Sequence, residues 1–197
     1  MITAEQLAKL DISGEWLEPL NDTFQRYAIN TPLRMAAFVG QCSHESGNFK
    51  VLVENLNYSA ERLCKVWPSR FPTLESAQPY HRNPDMIANK VYSGRMGNSD
   101  DGDGALYIGR GCIQLTGKTS YTLAGDALNV DFMHSPDLVS IPKYAALTAG
   151  WFWNKRELNK EADAKDYTGM TKKINGGLTG LDDRVDKIKA ALLVLNA

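Results

Sequence analysis

Apolar residues recur every three or four positions along much of the chain, which is the spacing of one buried face of an α-helix. They predict a helix over about residues 14–29 and another that begins after Thr31-Pro32 and runs toward Gly47-Asn48. Threonine is a favourable N-cap, proline suits the first helical position, and glycine is common at a helix end. The same signals predict further helices opened by Thr3, between Ser59 and Trp67, between Asn83 and Gly94, and over about residues 118–127, 142–155, 166–175 and 182–195.

The segment from Met96 to Ile113 differs from these helices, because it is rich in glycine and aspartate and lacks helical spacing. We expect a loop there, with at most a short strand. Strand signals elsewhere are few and brief. The sequence therefore predicts a mainly α fold with little β structure, in a single domain over residues 1–197 with N-terminal helices in residues 1–30 and a core in residues 31–197.

Composition and charge exclude some function classes. The chain has 197 residues, 43% of them apolar and 23% charged, which is an ordinary globular balance. Its formal net charge is -1, whereas a nucleic-acid-binding protein normally carries a basic excess, so no nucleic-acid partner is predicted. Three cysteines are too few and of the wrong parity for a disulfide framework, and we expect reduced, buried thiols.

The first residues hold no apolar run, so we expect no secretory signal. No apolar stretch approaches the roughly 20 residues that span a bilayer, so no stable membrane insertion is predicted. Asp100-Asp101-Gly102-Asp103-Gly104 superficially resembles a calcium loop, but the glutamate that closes such a loop is missing. We interpret this segment as a polar turn and predict no metal and no cofactor.

Glu45 and Glu54 are the first candidates for chemistry, because glycoside hydrolysis usually uses two carboxyl groups on either side of the scissile bond. On one continuous helix, nine positions would turn the two side chains about 180° apart. The break at Gly47-Asn48 removes this objection by placing Glu54 on a loop beyond the helix that carries Glu45. Partial burial of Glu45 would favour the protonated carboxyl that a general acid requires.

A second candidate segment runs from Tyr107 to Gly117. If it is extended, Gln114 and Thr116 alternate in direction with their apolar neighbours and form a polar strip. Thr116 could then position a water and Gln114 could bind a sugar hydroxyl or acetamide, while Arg110 could pair with a carboxylate. The alternative is a β-turn followed by a helix cap. Later in the chain, Asn175 either contacts substrate or simply precedes a left-handed C-cap at Gly176.

These segments occur in a specific order: His44-Glu45-Ser46-Gly47, then Glu54 to Ser59, then Tyr107 to Thr116, then Ile174-Asn175-Gly176-Gly177. Together they resemble family 19 glycoside hydrolases, the chitinase class, and in their compact spacing the bacteriophage endolysin branch. The resemblance covers about residues 30–195. It implies a lysozyme-like, two-lobed helical fold with a central substrate cleft, and an inverting mechanism with Glu45 as acid and Glu54 as base.

The resemblance also implies roles for other residues. Thr116 matches the position that holds the attacking water, and the basic partner of the catalytic network is Arg184, with Lys187 as the alternative. Thr179 stands where plant-type enzymes have an acidic residue. The predicted substrate-binding positions are Gln114, Tyr107, Asn175, Ser120 and Arg184, with His44 beside the acid as a tuning residue.

Three functions remain open at this stage. The leading hypothesis is an endolysin that hydrolyses β-1,4 bonds between the amino sugars of bacterial peptidoglycan. We expect it to be a monomer, made in a host cytoplasm and reaching the cell wall after the membrane is permeabilised. The alternatives are a chitinase acting on poly-N-acetylglucosamine and, in a different class, a non-catalytic cell-wall-binding or phage structural protein.

Overall fold

The computed structural model describes residues 1–196, and helices dominate this part of the chain. The mainly α prediction is confirmed, since only two isolated β-bridges, from Arg110 to Val53 and to Leu115, occur in it. The α-helices, in chain order, are α1 Ala4–Lys9, α2 Leu17–Arg26, α3 Pro32–Glu45, α4 Ala60–Val66, α5 Leu74–Ala77, α6 Pro84–Tyr92, α7 Asp103–Leu106, α8 Lys118–Leu128, α9 Pro142–Lys155, α10 Leu158–Ala164, α11 Tyr167–Asn175 and α12 Leu181–Leu195.

Local capping explains most of these boundaries. Thr31 accepts a hydrogen bond from the Arg34 N–H and Pro32 occupies the first position of α3, as predicted. The predicted helix over residues 14–29 is partly wrong, because it opens with a 3₁₀ turn at Gly14–Trp16 and only Leu17–Arg26 is α-helical. The loop predicted over 96–113 is also partly wrong, because the short helix α7 lies within it.

The chain divides into two compact units, and each is built from separate stretches of sequence. The first unit comprises Met1–Leu52, Gly111–Gln114 and Asp137–Ala197, and the second comprises Val53–Arg110 and Leu115–Pro136. The N-terminal helices contribute Leu7, Leu20 and Phe24 to the core of the first unit. The single-domain assignment of residues 1–197 stays a prediction.

In the first unit, α3 is the central helix, and nearly its whole length is buried. Its closest neighbour is α12. Gly40 permits this approach, since a Cβ added there would lie 2.7 Å from the backbone nitrogen of Ile188. The absence of a side chain at Gly40 therefore sets the spacing of α3 and α12, and both helices carry candidate site residues.

The second unit has its own core, formed by α4, α5 and α6 with the residues around them. Leu63, Phe71 and Ile87 are fully buried there, and the rings of Tyr58, Tyr80 and Tyr92 pack against them. The residues after α6 fold back on it, because Gly104 of α7 brings its backbone against Ala88 and Asn89. One of these rings, that of Tyr92, carries a hydroxyl that contacts the candidate carboxylate of Glu54.

The expected extended strip at Gln114 and Thr116 is wrong. The backbone N–H of Leu115 donates to the Arg110 carbonyl at 2.7 Å, and the Arg110 N–H donates to the Leu115 carbonyl at 3.1 Å. Residues 111–114 form a tight turn between them, with Gly111 at φ 79° and Gln114 at φ 54°. A left-handed residue breaks the alternation of side chains that an extended segment would have. The alternative of a turn is therefore correct, but the helix that follows has its N-cap at Gly117 rather than at Thr116 and no side-chain cap bond.

Within residues 1–196, no helix is both long and apolar enough to cross a bilayer. The three cysteines are free thiols, with Cys42 and Cys112 buried and Cys64 half-buried. Burial, reinforced by the neighbouring Cys112 thiol, raises the pKa of the Cys42 thiol. Cys42 is therefore an unreactive core residue, as the sequence predicted.

Candidate active site

Glu45 occupies the last turn of α3, and its carboxylate is held by a buried arginine. Nη2 of Arg184 donates to Glu45 Oε1 in a short, charged hydrogen bond. Nη1 of the same guanidinium donates to Gln41 Oε1 at 2.6 Å. Gln41 and Glu45 are four positions apart, so they lie on the same face of α3 and meet one guanidinium from α12. The carboxylate is thereby fixed at a helix end.

The structure distinguishes between the two predicted basic partners. The Arg184 side chain is only 3% exposed and that of Glu45 is 22% exposed, so the ion pair is largely sheltered from solvent. Lys187 instead approaches Asn48 Oδ1 at 3.4 Å and Asp183 at 3.9 Å. Arg184 is therefore the partner of Glu45 in this unit.

His44, beside the proposed acid, is held by a carboxylate of its own. Its Nδ1 lies 2.5 Å from Oδ2 of Asp183, the residue that precedes Arg184. This hydrogen bond, helped by the charges of Lys187 and Arg184, lowers the pKa of Asp183. Gly180 packs against the imidazole, and a Cβ there would lie 2.6 Å from His44 Nε2. The ring is therefore fixed from two sides.

Glu54 belongs to the second unit, where both of its carboxylate oxygens accept hydrogen bonds. The Gly109 N–H donates to Oε1 at 2.5 Å, and the Tyr92 hydroxyl donates to Oε2 at 2.7 Å. The Glu54 N–H donates in turn to the Gly109 carbonyl at 2.9 Å. Unlike Glu45, Glu54 is thus held by neutral donors in its own unit.

Arg110 and Tyr121 position the backbone that supports Glu54. Nη1 of Arg110 donates to the Leu106 carbonyl at 2.9 Å and to the Tyr121 hydroxyl oxygen at 3.0 Å. The Tyr121 hydroxyl donates to the Ile108 carbonyl at 2.7 Å. These bonds tie the residues on both sides of Gly109, so its N–H is directed at the carboxylate. Gly109 therefore contacts Glu54 through its backbone, and the Arg110 side chain holds that backbone in place.

The remaining predicted residues of this region fall in separate places. Thr116 lies half-buried just before α8, and Ser120 is half-buried in the first turn of that helix. Gln114 belongs to the first unit, where its Nε2 approaches the Gly111 carbonyl at 3.3 Å. Their roles toward water and sugar stay predictions.

Tyr107 and Asn175 are engaged within the protein itself. Tyr107 is 3% exposed, and its hydroxyl donates to the Met133 carbonyl at 3.2 Å, a placement that does not favour sugar binding. Asn175 is exposed, and its amide shapes its own loop by donating to the Thr179 carbonyl at 3.0 Å and accepting from the Gly177 N–H at 2.8 Å. Both substrate contacts stay predictions.

The acidic segment 100–104, predicted as a polar turn, is a turn only in part, because Asp103 and Gly104 begin α7, and a lysine holds it in place. Asp103 accepts hydrogen bonds from the Ser99 and Asp100 N–H groups at 3.0 Å, and Lys118 Nζ contacts the carboxylates of Asp100 and Asp103. Burial alone would raise the pKa of Asp103, but these hydrogen bonds and the lysine charge lower it below its usual value. Among the residues that the structure describes, no group of three metal-ligating side chains is present.

Three residues that contact Arg184, His44 or Glu54 escaped prediction from the sequence: Gln41, Asp183 and Tyr92. Gln41 could have been found, because it precedes Glu45 by one helical turn. Asp183 adjoins the predicted Arg184, but its partner His44 is 139 positions away. Tyr92 lies 38 positions after Glu54, with helices α4 and α5 between them, and no spacing rule links the two.

Comparisons with known proteins find relatives that match over much of the chain. A family model described as Chitinase class I matches residues 28–175. A "Glycosyl hydrolase family 19 domain-containing protein" of Haemophilus influenzae is 40% identical over 164 residues, which cover 82% of this chain and 80% of that protein. An endochitinase of Pisum sativum is 37% identical over 106 residues, which cover 42% of this chain and only 33% of that protein.

A solved structure supports the fold. Chitinase C of Streptomyces griseus superposes with a TM-score of 0.69 over 100% of this chain and 93% of that one, at 20% identity. At this identity the similarity shows the mainly helical, lysozyme-like fold alone. The family model and the Haemophilus influenzae relative each cover most of the chain. The chain therefore belongs to glycoside hydrolase family 19, a family of glycosidases.

Proposed function

We propose that this glycosidase hydrolyses β-1,4 bonds between the amino sugars of bacterial peptidoglycan, by inversion, with Glu45 as general acid and Glu54 as general base. The observation that carries the proposal is the contrast between the two carboxylates. Glu45 is paired with a buried guanidinium, and Glu54 with two neutral donors. A paired acid and base is what glycoside hydrolysis requires, and a non-catalytic wall-binding protein has no need of it.

The Glu45 cluster, formed by Glu45, Arg184 and Gln41, suits a carboxyl group that gives up a proton. Within residues 1–196 only Oε1 of Glu45 has a hydrogen-bond donor, so Oε2 is available to carry the proton to the leaving glycosidic oxygen. As the bond from the anomeric carbon to that oxygen breaks, Glu45 becomes an anion. The Arg184 guanidinium stabilises this anion, because a charged hydrogen bond in a sheltered site is stronger than one in water.

The Glu54 cluster, formed by Glu54, Tyr92 and Gly109, suits a carboxylate that takes up a proton. The carboxylate withdraws a proton from a water molecule while the water oxygen bonds to the anomeric carbon from the face opposite the leaving group. The Gly109 N–H and the Tyr92 hydroxyl are neutral donors, so they add no positive charge beside the carboxylate. Thr116 is the residue that we assign to hold the water.

Peptidoglycan is the first choice of substrate because the compact spacing of the Glu45 and Glu54 motifs resembles the bacteriophage endolysin branch of the family. Chitin is the second candidate, because the relatives named endochitinase come from plants and share the family. We further propose that the protein is a phage-type lysis enzyme, made in a host cytoplasm and acting as a monomer on the cell wall once a separate membrane-pore protein has opened the membrane.

The substrate is tested by incubating the purified protein with peptidoglycan sacculi and with chitin side by side. We expect new reducing sugar ends from sacculi at a rate well above that from chitin. The opposite preference would replace the proposed substrate with chitin, and new free amino groups would indicate an amidase or a peptidase. Proton NMR of the first products tests the stereochemistry: an inverting enzyme releases the α-anomer, and an initial β-anomer contradicts the mechanism.

The two carboxylates are tested by Glu45→Gln and Glu54→Gln, each of which we expect to reduce hydrolysis by at least about 100-fold, the range for a lost general acid or base. The matched controls are Glu15→Gln in the first unit and Glu75→Gln in the second, both at exposed positions. We expect wild-type rates from the controls. Near-normal hydrolysis by either active-site variant would remove that residue from its role.

A further inference from the structure

Tyr92 makes a contact with Glu54 that the reaction scheme above does not explain by itself. This tyrosine lies at the end of α6, half-buried, with its ring packed against the apolar core of the second unit. Its hydroxyl donates to Glu54 Oε2 at 2.7 Å. The ring is thus held by packing, and the hydroxyl is directed at one oxygen of a carboxylate. An arrangement of this kind fixes a side chain more firmly than a solvent-exposed hydrogen bond does.

The Tyr92 hydroxyl is a permanent donor. Burial, followed by the hydrogen bond to Glu54, raises the pKa of Tyr92, and the neighbouring Tyr58 adds to the effect while Arg95 opposes it. The phenol therefore stays protonated throughout the neutral range. Because the Gly109 N–H occupies Oε1, Tyr92 is the side chain of its unit that restrains the second oxygen of Glu54.

We propose that Tyr92 is a positioning residue for Glu54: it holds the ionised carboxylate in the orientation from which it receives a proton from water. The proposal rests on the proposed role of Glu54 as general base. Loss of the hydroxyl leaves Oε2 free to rotate away, because the Gly109 N–H holds only the other oxygen. It also removes a donor that favours the ionised over the protonated carboxylate.

The test is Tyr92→Phe, which keeps the ring and its packing and removes only the hydroxyl. The matched control is Tyr80→Phe. Tyr80 packs against the same core, and in the part of the chain that the structure describes its hydroxyl makes no hydrogen bond. We expect Tyr92→Phe to lower kcat about tenfold with KM within about twofold of wild type, the pattern of a group that acts in the transition state. We expect Tyr80→Phe to match wild type.

The dependence of kcat on pH separates positioning from structural support. A donor to the ionised base favours its active form, so its removal should move the acidic limb of the profile to higher pH. An unchanged kcat and limb would overturn the proposal. So would a lower kcat with an unmoved limb and a reduced Tm, because that combination indicates a packing role. If Glu54→Gln is inactive while Tyr92→Phe is normal, only this inference fails; if Glu54→Gln is active, the proposed base fails with it.

Discussion

Replacement of Arg184 by methionine is the sharpest test of how the Glu45 cluster is built. The guanidinium donates to Glu45 and to Gln41, and both arginine and glutamine are nearly fully buried. Methionine reaches about as far as the arginine Nε, fills the space of the arginine stem and makes neither bond. The substitution therefore removes the cation while leaving most of the contact between α3 and α12.

The expected change in the free energy of unfolding of Arg184→Met follows from two opposing effects. Each of the two hydrogen bonds from a charged donor contributes about 1.5–3 kcal/mol, and the variant loses both. Against this, Arg184 Nε is buried without a hydrogen-bond partner among residues 1–196, and its removal recovers about 1–3 kcal/mol of desolvation cost. Water reaches the partly exposed Glu45, which softens the loss further. The free energy of unfolding should fall by about 2 kcal/mol, which lowers Tm by about 4–8 °C in a chain of this size.

The assay is thermal unfolding followed by circular dichroism, alongside hydrolysis of sacculi. Lys187→Met is the matched control, because Lys187 lies on the same helix and its contacts are long and partly exposed. We expect the control to change Tm by less than about 2 °C, as for other surface charges. Arg184→Met should also lower kcat at least tenfold. A Tm within about 2 °C of wild type, or an equal loss in the control, would refute the reasoning.

Two further predictions concern helix packing in the first unit and an ion pair in the second. Gly40→Ala should destabilise the protein by about 1–3 kcal/mol in chemical denaturation, because its Cβ would meet the backbone of Ile188, whereas Gly14→Ala, which has open space around it, should be nearly neutral. The lowered pKa of Asp103 means that its interactions stabilise the fold above about pH 4 and are lost as the pH falls through the lower folded value. Asp103→Asn should therefore flatten the decline of Tm between about pH 5 and pH 2; a decline as steep as that of wild type would show that the carboxylate, clamped by Lys118, contributes no acid sensitivity.

Long helices with clear caps could be predicted from the sequence, because their signals are local. Pro142–Lys155 matches the predicted range at both ends, and α3 begins at Pro32 as its cap indicates. The four-residue α5 and the α10 helix that follows a left-handed Glu157 escaped prediction. Helices this short show too little periodicity and depend on packing rather than on their own propensity.

The candidate site was predictable where the family resemblance carried information, even across helices, whereas Gln41, on the same helix as Glu45, was missed. Glu45 and Arg184 carried motif information, and the break after α3 correctly placed Glu54 off that helix. The turn at residues 111–114 was not predictable from periodicity, since alternating polar and apolar residues also suit a turn whose last residue is left-handed. Gln114 is not a residue that favours such a conformation, and the pairing of Arg110 with Leu115 closes the turn that contains it.

The different surroundings of the two carboxylates bear on which acts as acid and which as base. A general acid ends its step as an anion, and Glu45 has a buried cation, Arg184, ready to stabilise that anion. A general base ends its step neutral, and a cation would oppose this change by holding it ionised. Within its unit Glu54 has only the Gly109 N–H and the Tyr92 hydroxyl as donors, and these lose less than a cation would when the carboxylate is protonated. The guanidinium therefore assists the step in which Glu45 releases its proton, and the assignment of Glu45 as the acid rests on the sequence motifs together with these donors.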